Sequence, residues 1–136
     1  MADVSPAPLV LLYNLDDTSP KGAVLRALFE GAGVNVKTVA ASELANTVGH
    51  LAGLPGFPPA PDAGTTPAAP HEEFVFFCHM TDDRVMELIR AMRAAGATVG
   101  CKATLTEHNR SWTFVRLIQE VAEEHAAMTR YRAQQQ

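Results

Sequence analysis

Cysteine is scarce in this chain, tryptophan occurs once, and no apolar run approaches the roughly 20 residues a bilayer-spanning helix needs. The missing run excludes a helical membrane span. The two cysteines, Cys78 and Cys101, form neither a Cys-x-x-Cys pair nor an evenly spaced framework. A disulfide scaffold is therefore excluded, and two reduced, buried thiols are expected. A basic stripe is also missing. Lys and Arg number 11 against 15 Asp and Glu, for a net charge of −4, which argues against a nucleic-acid binder. Met1-Ala-Asp-Val-Ser-Pro6 shows no basic region ahead of an apolar stretch, so a cytoplasmic location is expected.

What is present suits one globular domain. The length of 136 residues fits a single domain, and 47% of residues are hydrophobic. Twenty-two of them are Ala, which fill little core. Leu9–Tyr13 and Phe74–Cys78 are short runs apolar on both faces and read as strands. Residues 34–38 and 99–105 alternate apolar and polar and read as strands with one wet face. Ser19-Pro20 starts a helix with stripe Val24, Leu25, Leu28 and Phe29. Thr81 caps a second helix, with Asp82 and Asp83 in its first turn and a stripe of Val85, Met86, Leu88, Ile89 and Met92. Asn109 or Ser111 caps the last helix, whose stripe is Phe114, Leu117, Ile118, Val121 and Met128. Residues 58–70 hold five of the nine prolines and are expected to form a mobile loop insertion. Residues 130–136 read as a frayed tail.

Strand burial selects a fold. Strands apolar on both faces are central, and alternating ones lie at edges. A ferredoxin-like βαββαβ sandwich, with the strands in order 4-1-3-2 and an additional C-terminal helix, meets that pattern. It also makes the two central strands parallel neighbours. A flavodoxin-like or receiver-like parallel sheet is the alternative, and needs a fifth strand inside residues 43–57. In the sandwich, two helices cover one sheet face only, so the last helix or a second subunit should cover the other. A homodimer through the apolar sheet face or the last helix is expected.

Several stretches carry a family resemblance. Leu11-Leu-Tyr-Asn-Leu15, Gly49-His-Leu-Ala-Gly53, Lys102-Ala-Thr-Leu-Thr106, Asn109, Trp112-Thr-Phe114 and Glu124-His125 resemble a bacterial family known as a domain of unknown function, numbered 3783. The resemblance covers nearly the whole chain outside the Pro/Ala-rich loop. It implies one domain and a bacterial source, and it supplies no catalytic residue.

Four clusters are candidate sites. Lys102, Thr104, Thr106, Asn109 and Trp112 place a cation, two hydroxyls, an amide and a ring around the junction of the last strand and last helix, suited to a small anionic ligand. Gly49, His50 and Gly53 lie in a glycine-rich turn, where bare amides can approach a ligand or where Leu51, Leu54 and Phe57 tuck under the sheet edge. Asp16, Asp17, Asp82 and Asp83 follow the two central strands and could serve a small metal-dependent enzyme. Cys78-His79, with Cys101, His50, His71 and His108, offers thiol or metal chemistry, but at no metal-like spacing. No cofactor and no resident metal are expected. These signals favour a non-enzymatic binding or regulatory module over an enzyme. A receiver-like interaction domain is the third reading.

Overall fold

The computed structural model describes residues 7–16, 18–60 and 69–134. Four strands, β1 (Leu9–Tyr13), β2 (Asn35–Val39), β3 (Phe74–Cys78) and β4 (Cys101–Thr104), form one mixed sheet. Four α-helices accompany it: α1 (Pro20–Gly31), α2 (Val48–Leu51), α3 (Asp82–Ala94) and α4 (Phe114–Gln134). The class is α+β.

Each half of the chain is a strand–helix–strand unit. β1 pairs parallel with β2, β3 pairs parallel with β4, and β1 meets β3 antiparallel, with Leu11 opposite Phe76 at the centre. The strand order is therefore β2-β1-β3-β4, not the 4-1-3-2 of a ferredoxin-like sandwich. The double-faced strands are central and the alternating ones are edges, as their patterns require. What differs is which edge strand lies beside which central strand. Burial cannot report that, because both orders bury β1 and β3 equally. The receiver-like alternative is corrected too: its order matches these four strands, but β3 and β4 run opposite to β1 and β2, and no fifth strand occurs among the described residues.

The connection from β2 to β3 explains the order. Instead of a hairpin, it crosses the second sheet face through a 3-10 turn at Ala41–Glu43 and through α2. Helices then cover both faces. Val10, Leu12, Val75 and Phe77 pack with Leu25 and Phe29 of α1 and Leu88 and Met92 of α3. Leu11, Tyr13, Phe74, Phe76 and Cys78 pack with Val48 and Leu51 of α2 and Phe114, Leu117 and Ile118 of α4. Phe114 sits edge-on to Phe74 and Phe76, with centroids 5.6 and 6.0 Å away. The apolar sheet face expected to need a partner is covered by α2 and α4 of the same chain.

Local chemistry fixes the helix starts. The Ser19 hydroxyl accepts from the Gly22 amide at 3.1 Å, and Thr81 does the same for Arg84 at 3.2 Å. Gly22 is required for a second reason: a Cβ there would lie 2.5 Å from the Leu15 and Asp16 carbonyl oxygens. α4 begins later than expected. Thr113, not Asn109 or Ser111, presents its hydroxyl to the Arg116 amide at 3.3 Å.

Several stripe residues face water. Val24, Met86 and Met128 are exposed although the helical spacing placed them inside. Val99 joins the α3-side core while Cys101 joins the α4-side core, because the chain becomes a strand only at Cys101. Arg130–Gln134 continue α4, so the tail read from the sequence is helical through Gln134. Most of the Pro/Ala-rich insertion, residues 61–68, lies outside the described residues, as does Asp17.

Candidate functional site

Antiparallel pairing of β1 and β3 gives the sheet two distinct ends, and the candidate residues divide between them. At the end where β3 and β4 finish, Thr106, Asn109 and the Gly49–Gly53 turn come together. At the end where β4 begins lies Lys102.

The first end is a fastener. Asn109 is the buried polar residue of the described core, 8% exposed. Its Oδ1 accepts from the Thr106 amide at 3.0 Å, and its Nδ2 donates to the Thr104 carbonyl at 3.0 Å. The Asn109 amide in turn donates to the Thr106 hydroxyl at 3.1 Å. These groups satisfy one another. The following backbone is stitched to the α2 segment: the Gly49 amide donates to the Arg110 carbonyl at 2.7 Å, Val48 to Trp112 at 2.8 Å, and Phe114 to Asn46 at 2.9 Å.

The glycine-rich turn belongs to that seam. Gly49 is needed because a Cβ there would meet the Phe57 ring at 2.6 Å. Gly53 takes φ +77° directly after the short helix. His50 Nδ1 lies 3.0 Å from the Phe57 carbonyl, and Thr47 caps α2 through the His50 amide at 3.1 Å. Leu51 is buried and Leu54 packs on the same core, the tucked turn that the sequence allowed. Trp112 is half-buried, with the Arg116 guanidinium 4.3 Å over its ring and His108 against its edge.

Lys102 stands apart from this group. It shares a strand face with Thr104, but its ammonium donates back to the Val99 carbonyl, away from Thr106 and Asn109. Burial holds it below the usual lysine range, and the nearby Arg93 guanidinium acts in the same direction. Two clefts, of about 200 and 310 Å³, flank β4 here and share Gly100 and Lys102. One opens toward α3 beside Arg93, and the other toward α4 beside His125 and Arg132.

The Asp pairs do not converge. Asp16 follows β1 while Asp82 and Asp83 follow β3, so the antiparallel pairing places them at opposite ends. Asp16 accepts from the Thr18 amide at 3.0 Å, and the Thr18 hydroxyl lowers its carboxyl below the ordinary range. Cys78 is fully buried, and burial pushes its thiol up to about 12. His79 takes φ +62° and lies with Nε2 2.8 Å from the Ala52 carbonyl. Among the described residues, no three His, Cys, Asp or Glu side chains gather around a common metal position. Phe74, Phe76 and Phe77 are all buried, so no aromatic platform faces solvent on β3. No helix among the described residues is long and apolar enough to cross a membrane.

Arg93 and Arg132 carry no sequence motif, His125 entered only through the family resemblance at Glu124-His125, and none of the three was a candidate site residue. Helical spacing was the available signal: Val121, His125, Met128 and Arg132 recur on one face of α4, continuing its core stripe past the point where a strand can lie beneath.

No curated protein and no solved structure matches the chain. The resemblance at Leu11–Leu15 and Gly49–Gly53 lies outside the region that a family model supports. Residues 73–128, from the start of β3 to Met128 of α4, match the family described as Domain of unknown function (DUF3783).

Proposed function

We propose that the chain is a non-enzymatic binding module that pairs with a second copy of itself through the outer half of α4. The observation behind this reading is the overhang of that helix. Its 21 residues extend about 31 Å, against about 13 Å for the four-residue β4 it packs along. Residues 123–134 are exposed throughout, with Tyr131 59% accessible.

The exposed sequence is self-complementary. Glu120, Glu123 and Glu124 precede Ala127, and Arg130, Tyr131 and Gln134 follow it on the same helix face. An antiparallel pair with its two-fold axis at Ala127 sets Glu124 opposite Arg130 of the second copy and Glu123 opposite its Tyr131. Such an interface is isologous and closes at two chains. Ala127 permits close approach at the axis. The contacts are largely ionic, so pairing weakens as salt rises.

The fastened end supports a non-enzymatic reading. Thr104, Thr106 and Asn109 are occupied with one another, and the Cys78 thiol is held protonated. Light scattering at low salt tests the pairing: a dimer mass that falls to the monomer mass in Arg130→Glu is expected. A monomer mass for the native chain at working concentration overturns it.

A further inference from the structure

We infer that the start of β4 is a binding site for a small multivalent oxyanion bearing phosphate or carboxylate groups. Three elements bring positive or protonatable groups to it: Arg93 from the end of α3, Lys102 from β4, and His125 and Arg132 from α4. Both clefts share Lys102, and Glu124 is the acidic residue among those lining them. No ion pair engages Arg93, Lys102 or Arg132 among the described residues. Unneutralised cations gathered from three elements are unexpected in a chain of net charge −4, and an anion would relieve their mutual repulsion.

The backbone is shaped for the same purpose. Gly100 lets the His125 ring lie directly on the strand; a Cβ at residue 100 would sit 2.8 Å from Nε2. The imidazole therefore sits close over the backbone at residue 100, beside the larger cleft. The Lys102 ammonium uses one donor on Val99 and keeps others for a ligand. The two Arg guanidiniums can each take an oxyanion edge in fork geometry. A volume of about 310 Å³ for the larger cleft fits a small molecule. The cleft stripe of Val121, His125, Met128 and Arg132 lies on a different face of α4 from the one centred on Ala127, with Glu124 bordering both.

The test is a two-dimensional NMR titration of the full chain at low salt, with pyrophosphate and with citrate in separate experiments. Saturable shifts confined to the amides of Gly100, Lys102, His125 and Arg132 with either anion are expected. Affinity should fall about tenfold in Arg132→Ala, where a charge-assisted hydrogen bond is lost. Lys102→Met keeps the buried stem and should lose more; Arg93→Ala, at an exposed position, serves if that variant does not fold. Arg116→Ala, a base on Trp112 outside the clefts, should bind unchanged. Absence of shifts with both anions, undiminished affinity in Arg132→Ala and Arg93→Ala, or a response only to an acidic peptide overturns the inference. Scattering on the same samples separates this outcome from failure of the α4 pairing.

Discussion

The two ends of the sheet use polar residues in opposite ways. Where β3 and β4 finish, each polar group named at that seam has a partner within the chain, and Asn109, Thr106 and the Gly49 amide are fasteners. Where β4 begins, Arg93, Lys102 and Arg132 gather with no ion pair among the described residues, although Glu124 borders the larger cleft, and a helix runs on past the strands. The residues most conspicuous by type lie at the first end and hold the fold together. The open chemistry lies at the second, on side chains that look like ordinary surface charges.

The largest expected effect lies in the core between β3 and the fastened end. Phe114 is the first residue of α4 and is fully buried against Phe74 and Phe76. Phe114→Ala should lower unfolding free energy by about 3–5 kcal/mol, from lost burial plus the cavity left behind. A urea titration reads this. A loss below about 1 kcal/mol would mean that α4 is not seated on β3.

Asn109→Ala comes next, at about 1–3 kcal/mol, because the Thr106 amide and the Thr104 carbonyl lose a partner that is itself buried. Asn109→Asp keeps the acceptor for Thr106 and loses the donor for Thr104. It should fall between the native chain and Asn109→Ala. Equal stability of all three proteins would show that the seam is not fastened there.

The cysteines sharpen the contrast between the ends through pH. Cys78, at the fastened end, has its thiol pushed up to about 12 from 9.0 by burial. The unfolded chain loses that proton above about pH 9 while the folded chain keeps it. Stability from this group is intact below pH 9 and falls with rising pH, by about 1.4 kcal/mol per unit until the folded value is reached. Cys78→Ala should remove this component of the alkaline slope. Cys101 begins β4 at the open end and is also raised by burial, but less enclosed. A thiol reagent should therefore modify Cys101 before Cys78; the reverse order would contradict the difference in enclosure.

Much of this contrast was legible in the sequence, and the parts that were not have identifiable causes. Five consecutive apolar residues in Phe74–Cys78 could only be a strand covered on both faces, and that placed β3 centrally. The same residues say nothing about strand direction, since either direction buries them. The long β2–β3 connection held the missing information, yet its Gly and Pro made it read as a loop beside the sheet and not as a cover for it. At the site, Asn109 and Gly49 were legible as special because few other residues fit a reciprocal turn or a contact with the Phe57 ring. Their role depended on partners that only the fold supplies. Arg93 and Arg132 are 39 residues apart by number and line the two clefts on either side of Lys102 only because α3 and α4 flank the same strand from opposite faces.

The smallest stability effect carries the most information about the open end. Arg132 is exposed, with no ion-pair partner among the described residues. Arg132→Ala should leave unfolding free energy within about 0.5 kcal/mol of the native value, as for surface positions generally. It should nevertheless lower the affinity for pyrophosphate or citrate about tenfold. Asn109→Asp should do the reverse, lowering stability while leaving the anion response intact in the protein that remains folded. A side chain that contributes nothing to folding but much to binding is the signature of a site. If Arg132→Ala instead destabilised the chain by as much as Asn109→Ala, the overhang of α4 would be a second fastener, and the contrast between the two ends would collapse.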